Sequence, residues 1–363
     1  MSTFSQSQPS ECSDWRDCTA QFKSQCLLVG FPLVGITDVL SPPRYAQFES
    51  WLERGFAGSM SYLSNRKEAY RNATNILDGC QRIVMLGIPY SKSIDELEAS
   101  EANHGKVARY ASGTVDYHDL IRDRLKLLRR WLEIRYPNGA FRGIVDTAPL
   151  LEREFASLAG IGWIGKNTLL LTRTHGSYFF LAALLTDLPL VADTPFESDH
   201  CGTCRACLDA CPTQAFPEAH ILDASRCISF LTIEHRGTID PELQSQVGEW
   251  LFGCDVCQEV CPWNRRPTPE IDSMLKARSE HHRLSLASLL TMSPEAFRIR
   301  FRHTPLSRTR WEGMVRNAAM VAGNTQRADL RGLLQLLAEA TESDSIRSAA
   351  QEAIKKIDQR SEP

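Results

Sequence analysis

The stretch Cys201-Gly-Thr-Cys204-Arg-Ala-Cys207-Leu-Asp-Ala-Cys211-Pro212 decides the fold in the middle of this chain. Three cysteines two residues apart allow a tightly wound loop to donate three thiolates to one 4Fe–4S cubane. The fourth cysteine, which a proline follows, leaves that loop and ligates a different cluster. The spacing therefore predicts two clusters whose ligands cross between the two halves of one small domain.

A second and incomplete run follows, Cys254-Asp-Val-Cys257-Gln-Glu-Val-Cys261-Pro262. It lacks the first cysteine of the full pattern, and Cys227 is the nearby residue that can replace it. The predicted ligands are Cys201, Cys204, Cys207 and Cys261 for cluster 1, and Cys211, Cys227, Cys254 and Cys257 for cluster 2. Two tetrahedral zinc sites are the alternative, because C-x2-C pairs also bind zinc. Zinc does not account for the three-cysteine run or for the two Cys-Pro pairs, so the spacing favours a bacterial-ferredoxin-like domain with two 4Fe–4S clusters.

The overall composition is that of an ordinary globular protein, with 363 residues of which 43% are hydrophobic and 23% charged. No run of about 18 apolar residues predicts a membrane span, and the N-terminus lacks the apolar core of a signal peptide. We therefore expect a cytoplasmic protein without a membrane partner. Disulfides are rare in that compartment, so the cysteines outside the two runs are interpreted as ordinary thiols: Cys12, Cys18, Cys26 and Cys80.

Helical and strand patterns alternate before the cysteine-rich segment. Helical periodicity covers residues 44–56, 118–134 and 150–159, and short apolar runs typical of strands cover 82–88, 141–145 and 178–186. The fold class is therefore predicted as α+β, beginning with an α/β domain around one sheet. The expected organisation is a disordered tail over residues 1–20, this domain over 21–195 and the ferredoxin-like domain over 196–267.

The last predicted domain, residues 268–363, is helical. Apolar residues at helical spacing form one face of each of two successive helices: Leu330, Leu333, Leu334 and Leu337, then Ile346, Ala349, Ala350, Ala353 and Ile357. Such a pair is typical of a HEAT-like repeat, and it should pack on the preceding domain because it cannot bury its own core. Lys and Arg outnumber Asp and Glu between residues 265 and 331. That excess fits either a solvated helical surface or a surface that meets a polyanion.

Two glycine patterns overlap in Gly160-Ile-Gly162-Trp-Ile-Gly165-Lys166-Asn167. The G-x-G-x-x-G spacing is a dinucleotide fingerprint only when it follows a strand, whereas here it follows a predicted helix. Asn167 stands where a P-loop needs Ser or Thr to hold magnesium, so a nucleotide triphosphate site is also disfavoured. The glycines then indicate either a helix cap with a tight turn or a backbone that approaches a large flat ligand closely.

Asp146 directly follows the predicted strand at 141–145 and opens Asp146-Thr-Ala-Pro149. An aspartate before a helix commonly caps it, and proline suits a first helical turn. An acid at the end of a strand can instead deliver a proton into a cleft. Both interpretations remain open at this point.

Several further motifs resemble the epoxyqueuosine reductase family. They are Gly105-Lys-Val-Ala-Arg109-Tyr110, Asp116-Tyr117-His118, Asp146-Thr-Ala-Pro149, Gly162-Trp-Ile-Gly-Lys-Asn167, Cys227-Ile-Ser-Phe-Leu-Thr-Ile-Glu-His-Arg-Gly237, Phe252-Gly-Cys-Asp-Val-Cys-Gln-Glu-Val-Cys-Pro-Trp-Asn264, Arg316-Asn-Ala318 and Gly323-Asn324. The resemblance spans residues 60–324 in the family's order. Phe230 stands where many relatives are expected to have tyrosine.

The resemblance implies a reaction on transfer RNA. The cyclopentane epoxide of epoxyqueuosine, at the wobble position of a GUN anticodon, would be reduced to the alkene of queuosine in the last step of queuosine biosynthesis. The implied cofactors are base-off cobalamin and the two 4Fe–4S clusters, with Asp146 as the proton donor. An external one-electron donor of the flavodoxin or ferredoxin type completes the set of partners.

The family's cobalamin contacts correspond here to Tyr62, Arg109, Asp146, Gly165, Lys166, Asn167, Ser229, Asp255 and Val256. Asp255 and Val256 lie between two predicted ligands of cluster 2, so we expect cluster 2 beside cobalamin and cluster 1 facing the electron donor. For the basic segment, the tRNA substrate implies phosphate contacts by Arg298, Arg300, Arg302, Arg308 and Arg310.

Two other functions stay open from the sequence. One is a cobalamin and iron–sulfur reductase of a small molecule, similar to the reductive dehalogenases. The other is a plain electron-transfer protein whose N-terminal domain serves for docking. We expect a monomer in either case.

Overall fold

The computed structural model describes residues 14–39, 41–90, 104–265, 272–276 and 279–360. The strands are β1 (Leu33–Asp38), β2 (Arg82–Pro89), β3 (His104–Val107), β4 (Phe141–Ile144), β5 (Trp163–Ile164), β6 (Leu170–Leu171), β7 (Phe179–Thr186), β8 (Trp250–Phe252) and β9 (Arg283–Ser285). The α-helices are α1 (Trp15–Leu28), α2 (Tyr45–Glu53), α3 (Ser61–Asn65), α4 (Tyr117–Arg135), α5 (Glu152–Leu158), α6 (Ala206–Asp209), α7 (Ile228–Ile233), α8 (Pro241–Gln246), α9 (Val256–Glu259), α10 (Ser279–His282), α11 (Leu286–Leu290), α12 (Pro294–Phe301), α13 (Arg310–Asn324), α14 (Arg331–Ala340) and α15 (Asp344–Arg360). None of the helices in these ranges is both long and apolar enough to cross a membrane.

A four-stranded antiparallel sheet in the order β1-β2-β7-β4 organises the N-terminal part. Helices α1 and α4 cover one face, where Val84 and Leu86 of β2 pack. Helix α5 covers the other, where Ile83 and Met85 pack. Both central strands are nearly uninterrupted apolar runs because side chains on both faces are buried.

The helices and strands predicted in this region are confirmed, with ends that shift by a few residues. Helix α4 buries Ile121, Leu125, Leu128 and Leu132 along one face, in agreement with the helical periodicity predicted for residues 118–134. The disordered tail predicted for residues 1–20 is wrong for its last six residues, since α1 begins at Trp15 and buries Cys18 and Thr19. Residues 1–13 of that predicted tail lie outside the described residues.

A second sheet joins the three predicted domains. Its strand order is β8-β3-β9, with β3 parallel to β8 and antiparallel to β9. Each strand comes from a different predicted domain, and one apolar core extends from Val107 to Ile357. The predicted boundaries therefore separate segments of the sequence that share one sheet and one core in space.

The C-terminal helices pack on that core around α13, which is buried along most of its length. Helix α15 lies along α13 with Ile346, Ala349, Ala350, Ala353 and Ile357 buried. The expected packing of the last helices on the preceding domain is confirmed. Their assignment to a HEAT-like repeat stays a prediction.

Gly323 marks the closest approach of α13 and α15, and it provides a test of this packing. A Cβ built on Gly323 would lie 2.5 Å from Cα of Ala353, which is backbone and cannot move aside. We expect Gly323→Ala to lower the free energy of unfolding by about 1–3 kcal/mol, as overpacking does. Denaturant unfolding followed by circular dichroism measures this change.

Gly332 in α14 is the matched control, since a Cβ there meets no atom within 4 Å. Gly332→Ala should leave stability unchanged or raise it by up to about 1 kcal/mol. Equal effects of the two substitutions would contradict the assigned packing.

Candidate active site and iron–sulfur centres

The cysteine-rich segment contains two similar turns. In each, a C-x2-C pair runs into a one-turn helix, α6 after Cys204 and α9 after Cys254, and the last cysteine follows that helix. The two short helices contact each other. This pairing places the last cysteine of each run beside the other run, which the spacing predicted.

The first group of cysteines surrounds a cavity of about 270 Å³. Its lining includes all four predicted ligands of cluster 1: Cys201, Cys204, Cys207 and Cys261. Trp263 also lines it and packs edge-on against Trp163, with ring centroids 4.9 Å apart. Lys166 closes one side by donating hydrogen bonds to the carbonyls of Gly202 at 2.5 Å and Cys204 at 2.9 Å. Cys204 is exposed, so this cavity reaches the surface.

The second group adjoins a larger cavity of about 510 Å³. Cys227, Cys254 and Cys257 line that cavity. Cys211 lies close enough for its charge to raise the pKa of Cys257, along with burial and the charges of Cys254 and Cys227. The four predicted ligands of cluster 2 are therefore brought together.

In both groups the ionised thiolate form of the cysteines is disfavoured relative to the neutral thiol. Burial, followed by the charges of Cys261, Cys201 and Cys204, raises the pKa of Cys207 to about 11. Burial and the charges of Cys227 and Cys211 similarly raise the pKa of Cys254, although its hydrogen bond to the backbone of Val256 lowers it. Four mutually repelling thiolates need a compensating positive charge, which a bound metal cluster supplies. The donor sets and the cavity of the first group fit 4Fe–4S clusters.

The cysteines outside the two groups behave differently. Cys26 and Cys80 are buried free thiols, as expected. Cys18 is disulfide-bonded, so its interpretation as an ordinary thiol is wrong.

A cluster of charged and polar side chains lies across the larger cavity from the cysteines. Oδ2 of Asp146 accepts hydrogen bonds from the Tyr117 hydroxyl at 3.0 Å and from Nη2 of Arg308 at 2.9 Å. Nε2 of His118 lies 3.2 Å from the same oxygen, and its Nδ1 lies 2.6 Å from Asp116. Asp146, Tyr117 and Arg308 all line the cavity.

The charge state of Asp146 follows from these contacts. Burial alone would raise the pKa of Asp146, but the hydrogen bond from His118 and the charge and hydrogen bond of Arg308 hold it well below its usual range. Burial works against a charged His118, yet its hydrogen bonds to Asp116 and Asp146 raise the pKa of its imidazole. In this conformation Asp146 is a carboxylate.

Glu152 is the second acid of this cavity. Its Oε1 accepts a hydrogen bond from the backbone N–H of Asp146 at 3.0 Å. Burial and the charge of Asp146 raise the pKa of Glu152 to about 8, so Glu152 carries a proton at neutral pH. Two neighbouring carboxyl groups thus hold opposite protonation states.

The capping role that stayed open for Asp146 is wrong. Helix α5 begins at Glu152, its N-cap is Leu151, and no side chain caps it. Asp146 has a backbone φ of +59°, in the left-handed region that aspartate tolerates better than most residues. The loop therefore turns its carboxylate toward the cavity and away from the helix end.

The structure places four of the nine predicted cobalamin contacts in the lining of the larger cavity: Asp146, Asn167, Ser229 and Asp255. The other five, Tyr62, Arg109, Gly165, Lys166 and Val256, are not among its lining residues. Arg109 binds buried Asp255 through its backbone N–H at 2.8 Å. Lys166 lies instead at the cavity of the first cysteine group.

The glycines between residues 160 and 165 have a structural role in the turns of this segment. Gly160 has φ +76° directly after α5, which is the predicted helix cap. A Cβ on Gly162 would lie 1.9 Å from the carbonyl oxygen of Leu171 in the β5–β6 hairpin. The tight-turn interpretation is the one that these contacts explain.

The five arginines proposed for tRNA separate into two groups. Arg298, Arg300, Arg302 and Arg310 are exposed at the surface. Arg308 instead turns into the cavity and pairs with Asp146, so it is not part of that exposed surface. The sequence could not indicate this, because the contact joins residues 162 positions apart.

The sequence did not predict which candidate functional residues would contact Asp146. There are four of them: Tyr117, His118, Glu152 and Arg308. Asp116-Tyr117-His118 was part of the family resemblance, but the sequence assigned it no role. Helix α4 starts at Tyr117, and Asp116 caps it by accepting from the N–H of His118. That cap directs His118 toward Asp146.

The fold and site define an iron–sulfur oxidoreductase with a ligand-sized cavity between a cluster site and an acid. The family of the 4Fe-4S double cluster binding domain matches residues 200–264, and that of epoxyqueuosine reductase QueG, DUF1730, matches residues 71–147. An epoxyqueuosine reductase of Pseudomonas aeruginosa is 43% identical over 298 residues, which cover 82% of each chain. One of Escherichia coli is 37% identical over 317 residues, covering 87% of this chain and 83% of the relative. This chain belongs to the epoxyqueuosine reductase family.

Solved structures agree with this assignment. The crystal structure of an epoxyqueuosine reductase with an epoxyqueuosine-modified tRNA-Tyr stem loop matches with a TM-score of 0.89 at 29% identity. The match covers 95% of this chain and 91% of that chain. A Bacillus subtilis epoxyqueuosine reductase with its catalytic loop swung out of the active site matches with a TM-score of 0.85 over the same shares.

The metal content tests the cysteine assignment. We expect anaerobically purified protein to contain about eight iron and eight sulfide per chain, as two 4Fe–4S clusters require. Cys254→Ser should lose about half of the iron, because the oxygen is a poorer iron ligand than the thiolate. Iron and sulfide assays with the visible spectrum measure both.

Cys80→Ser is the matched control, since Cys80 is a buried thiol outside both groups. It should keep the full iron content. Zinc in place of iron, or equal iron loss in the two variants, would contradict the assignment.

Proposed function

We propose that this chain reduces the epoxide of epoxyqueuosine in tRNA to the alkene of queuosine, the last step of queuosine biosynthesis. The conversion consumes two electrons and two protons and releases the epoxide oxygen as water. One observation carries the proposal: cysteines of the second group and the acid Asp146 line the same cavity. A plain electron-transfer protein has no use for such a cavity. A tRNA substrate also fits the predicted cytoplasmic location.

We assign the iron–sulfur ligands as the sequence predicted, with Cys201, Cys204, Cys207 and Cys261 for cluster 1 and Cys211, Cys227, Cys254 and Cys257 for cluster 2. The two separate thiol groups support this assignment. Exposed Cys204 supports electron entry at cluster 1, from an external donor of the flavodoxin or ferredoxin type. Cluster 2 would pass electrons to the larger cavity.

The larger cavity is the place that we assign to cobalamin. Its volume is within the range of ligand sites, and cysteines of cluster 2 form part of its wall. Asn167, Ser229 and Asp255 would hold the cofactor from the side of the cysteine loops, with Arg109 fixing Asp255. Cobalamin bound there would supply electrons at low potential to the substrate carbon.

Asp146 is the residue that we assign to proton donation. It lines the cavity, and hydrogen bonds fix the position of its carboxylate. These bonds come from Tyr117, His118 and Arg308. Glu152, whose Oε1 accepts a hydrogen bond from the backbone N–H of Asp146, carries a proton at the same cavity. The side chains around the cavity thus bring acid groups to the place where the epoxide oxygen must leave.

The exposed arginines Arg298, Arg300, Arg302 and Arg310 would contact phosphates of the anticodon stem loop. Arg298 and Arg300 lie on α12, Arg302 directly follows that helix, and Arg310 begins α13, beyond the turn that carries Arg308 into the cavity. Phosphate contacts fix the register of an RNA, so this surface would direct the wobble base inward. An exposed arginine surface of this kind favours a tRNA substrate over the small molecule of a dehalogenase-like enzyme.

Replacing Asp146 tests the proton donor. Asp146→Asn keeps the shape of the side chain but removes the ionisable proton, so kcat should fall by about 10²- to 10⁴-fold. Clusters and cobalamin should stay bound. Mass analysis of nucleosides from an epoxyqueuosine-containing anticodon stem loop measures the loss of one oxygen.

Asp119→Asn serves as the control, because Asp119 is an exposed acid of α4 that pairs with Arg122. It should turn over normally. Full activity of Asp146→Asn would reject the assigned role, and no oxygen loss with the wild type would reject the function itself.

A further inference from the structure

The ionised state of Asp146 conflicts with its role as a proton donor. A general acid must carry its proton when the reaction begins. In this structure Asp146 pairs with Arg308 at 2.9 Å, and Nη2 of the same arginine lies 2.8 Å from His118. Something must therefore remove Arg308 from Asp146 before the acid can work.

Arg308 is placed to exchange partners. Its side chain lines the cavity and is about one-third exposed to solvent. It belongs to the turn Pro305–Thr309, between exposed Arg302 and Arg310. Arg236 holds the backbone of this turn by donating to the carbonyls of Arg308 and Thr309, both at 2.9 Å. The guanidinium can thus swing while its anchor stays fixed.

We propose that Arg308 is a gate, which clamps the Asp146 carboxylate in the free enzyme and leaves it for a phosphate of the bound anticodon loop, so that Asp146 takes up its proton from solvent only with substrate in place. This inference rests on the proposed function. A phosphate offers arginine a charge-assisted bidentate partner, which matches what the carboxylate gives up.

The surroundings of Asp146 determine what happens when Arg308 leaves. The groups that face it are Tyr117 and His118 of α4, Glu152 and Arg153 of α5, Arg308, and the hydroxyls of Tyr62, Tyr70 and Tyr110. Burial is the largest influence on the Asp146 pKa and raises it, while His118 and Arg308 oppose burial. Removing Arg308 would raise the pKa of Asp146, because the charge and the hydrogen bond of Arg308 both lower it.

The gate has a chemical use. A proton on Asp146, in addition to the one on Glu152, would let a strongly reducing centre in the cavity lose more electrons to protons between turnovers. Keeping Asp146 ionised until the substrate fills the cavity avoids that loss. Arg308 acts through Asp146 and is therefore a positioning residue.

The test is proton uptake on binding, measured without turnover. Cluster- and cobalamin-loaded full-length protein, with no electron donor, is titrated with an epoxyqueuosine-containing anticodon stem loop near pH 7. Calorimetry in two buffers of different ionisation enthalpy gives the protons bound. We expect the wild type to take up as much as about one proton and Asp146→Asn to take up none.

Two arginine variants separate the gate from a simple phosphate contact. Arg308→Gln should bind with reduced proton uptake, and its log Kd against log salt should have a slope smaller by about 0.7. Arg302→Gln, at an exposed arginine away from Asp146, should change at most the salt slope and keep the uptake of the wild type. Iron content and thermal melting confirm that each variant is folded.

Several results would overturn the gate: no uptake by the wild type, unchanged uptake by Asp146→Asn, or a salt slope and uptake in Arg308→Gln equal to the wild type. The first two need no arginine variant, so they decide the matter even if Arg308→Gln does not fold. Turnover of the same stem loop by reduced wild type tests the proposed function separately. Turnover without proton uptake rejects the gate alone.

Discussion

Mutual repulsion among buried cysteine thiolates is the constraint on which the rest of this structure depends. Burial and neighbouring sulfurs raise the pKa of Cys207, Cys254 and Cys257, so each group of thiolates is stable only around positive charge. Iron–sulfur clusters would provide that charge and at the same time tie together loops from residue 201 to residue 261. The short helices α6 and α9 contact each other at this junction. Binding of the metal and folding of the domain are therefore coupled.

The cysteine-rich segment also forms one wall of the larger cavity. Its second thiol group faces a cavity whose other sides come from the N-terminal sheet, from α7 and from the turn that carries Arg308. Sheet β8-β3-β9 takes one strand from each predicted domain, which fixes these walls relative to one another. Electron supply, a cofactor-sized space and an acid thus meet because three segments of the chain share one core.

Opposite protonation states within one cavity are a consequence of unequal neighbours. The hydrogen bond from His118 and the charge and hydrogen bond of Arg308 lower the pKa of Asp146, which stays ionised, whereas burial and the charge of Asp146 raise the pKa of Glu152, which keeps a proton. The charge of Asp146 therefore acts on Glu152 and also pairs with Arg308. Loss of the Arg308 contact would raise the pKa of Asp146, and in this way the proposed gate would connect RNA binding to proton uptake.

The sequence by itself determined the cluster chemistry, since ligand spacing is a local property that a cysteine run records directly. It also determined the α+β class and most helices and strands of the N-terminal part, and the family motifs pointed to Asp146 as the candidate acid. Only the tertiary structure decided that Asp146 caps no helix, that Arg308 faces the acid and not the surface, and that Lys166 serves the first thiol group. The contacts of Lys166 with the first thiol group and of Arg308 with Asp146 join residues 36 to 162 positions apart. No local pattern encodes them, because their distances follow from how the sheet, the cysteine loops and the C-terminal helices pack.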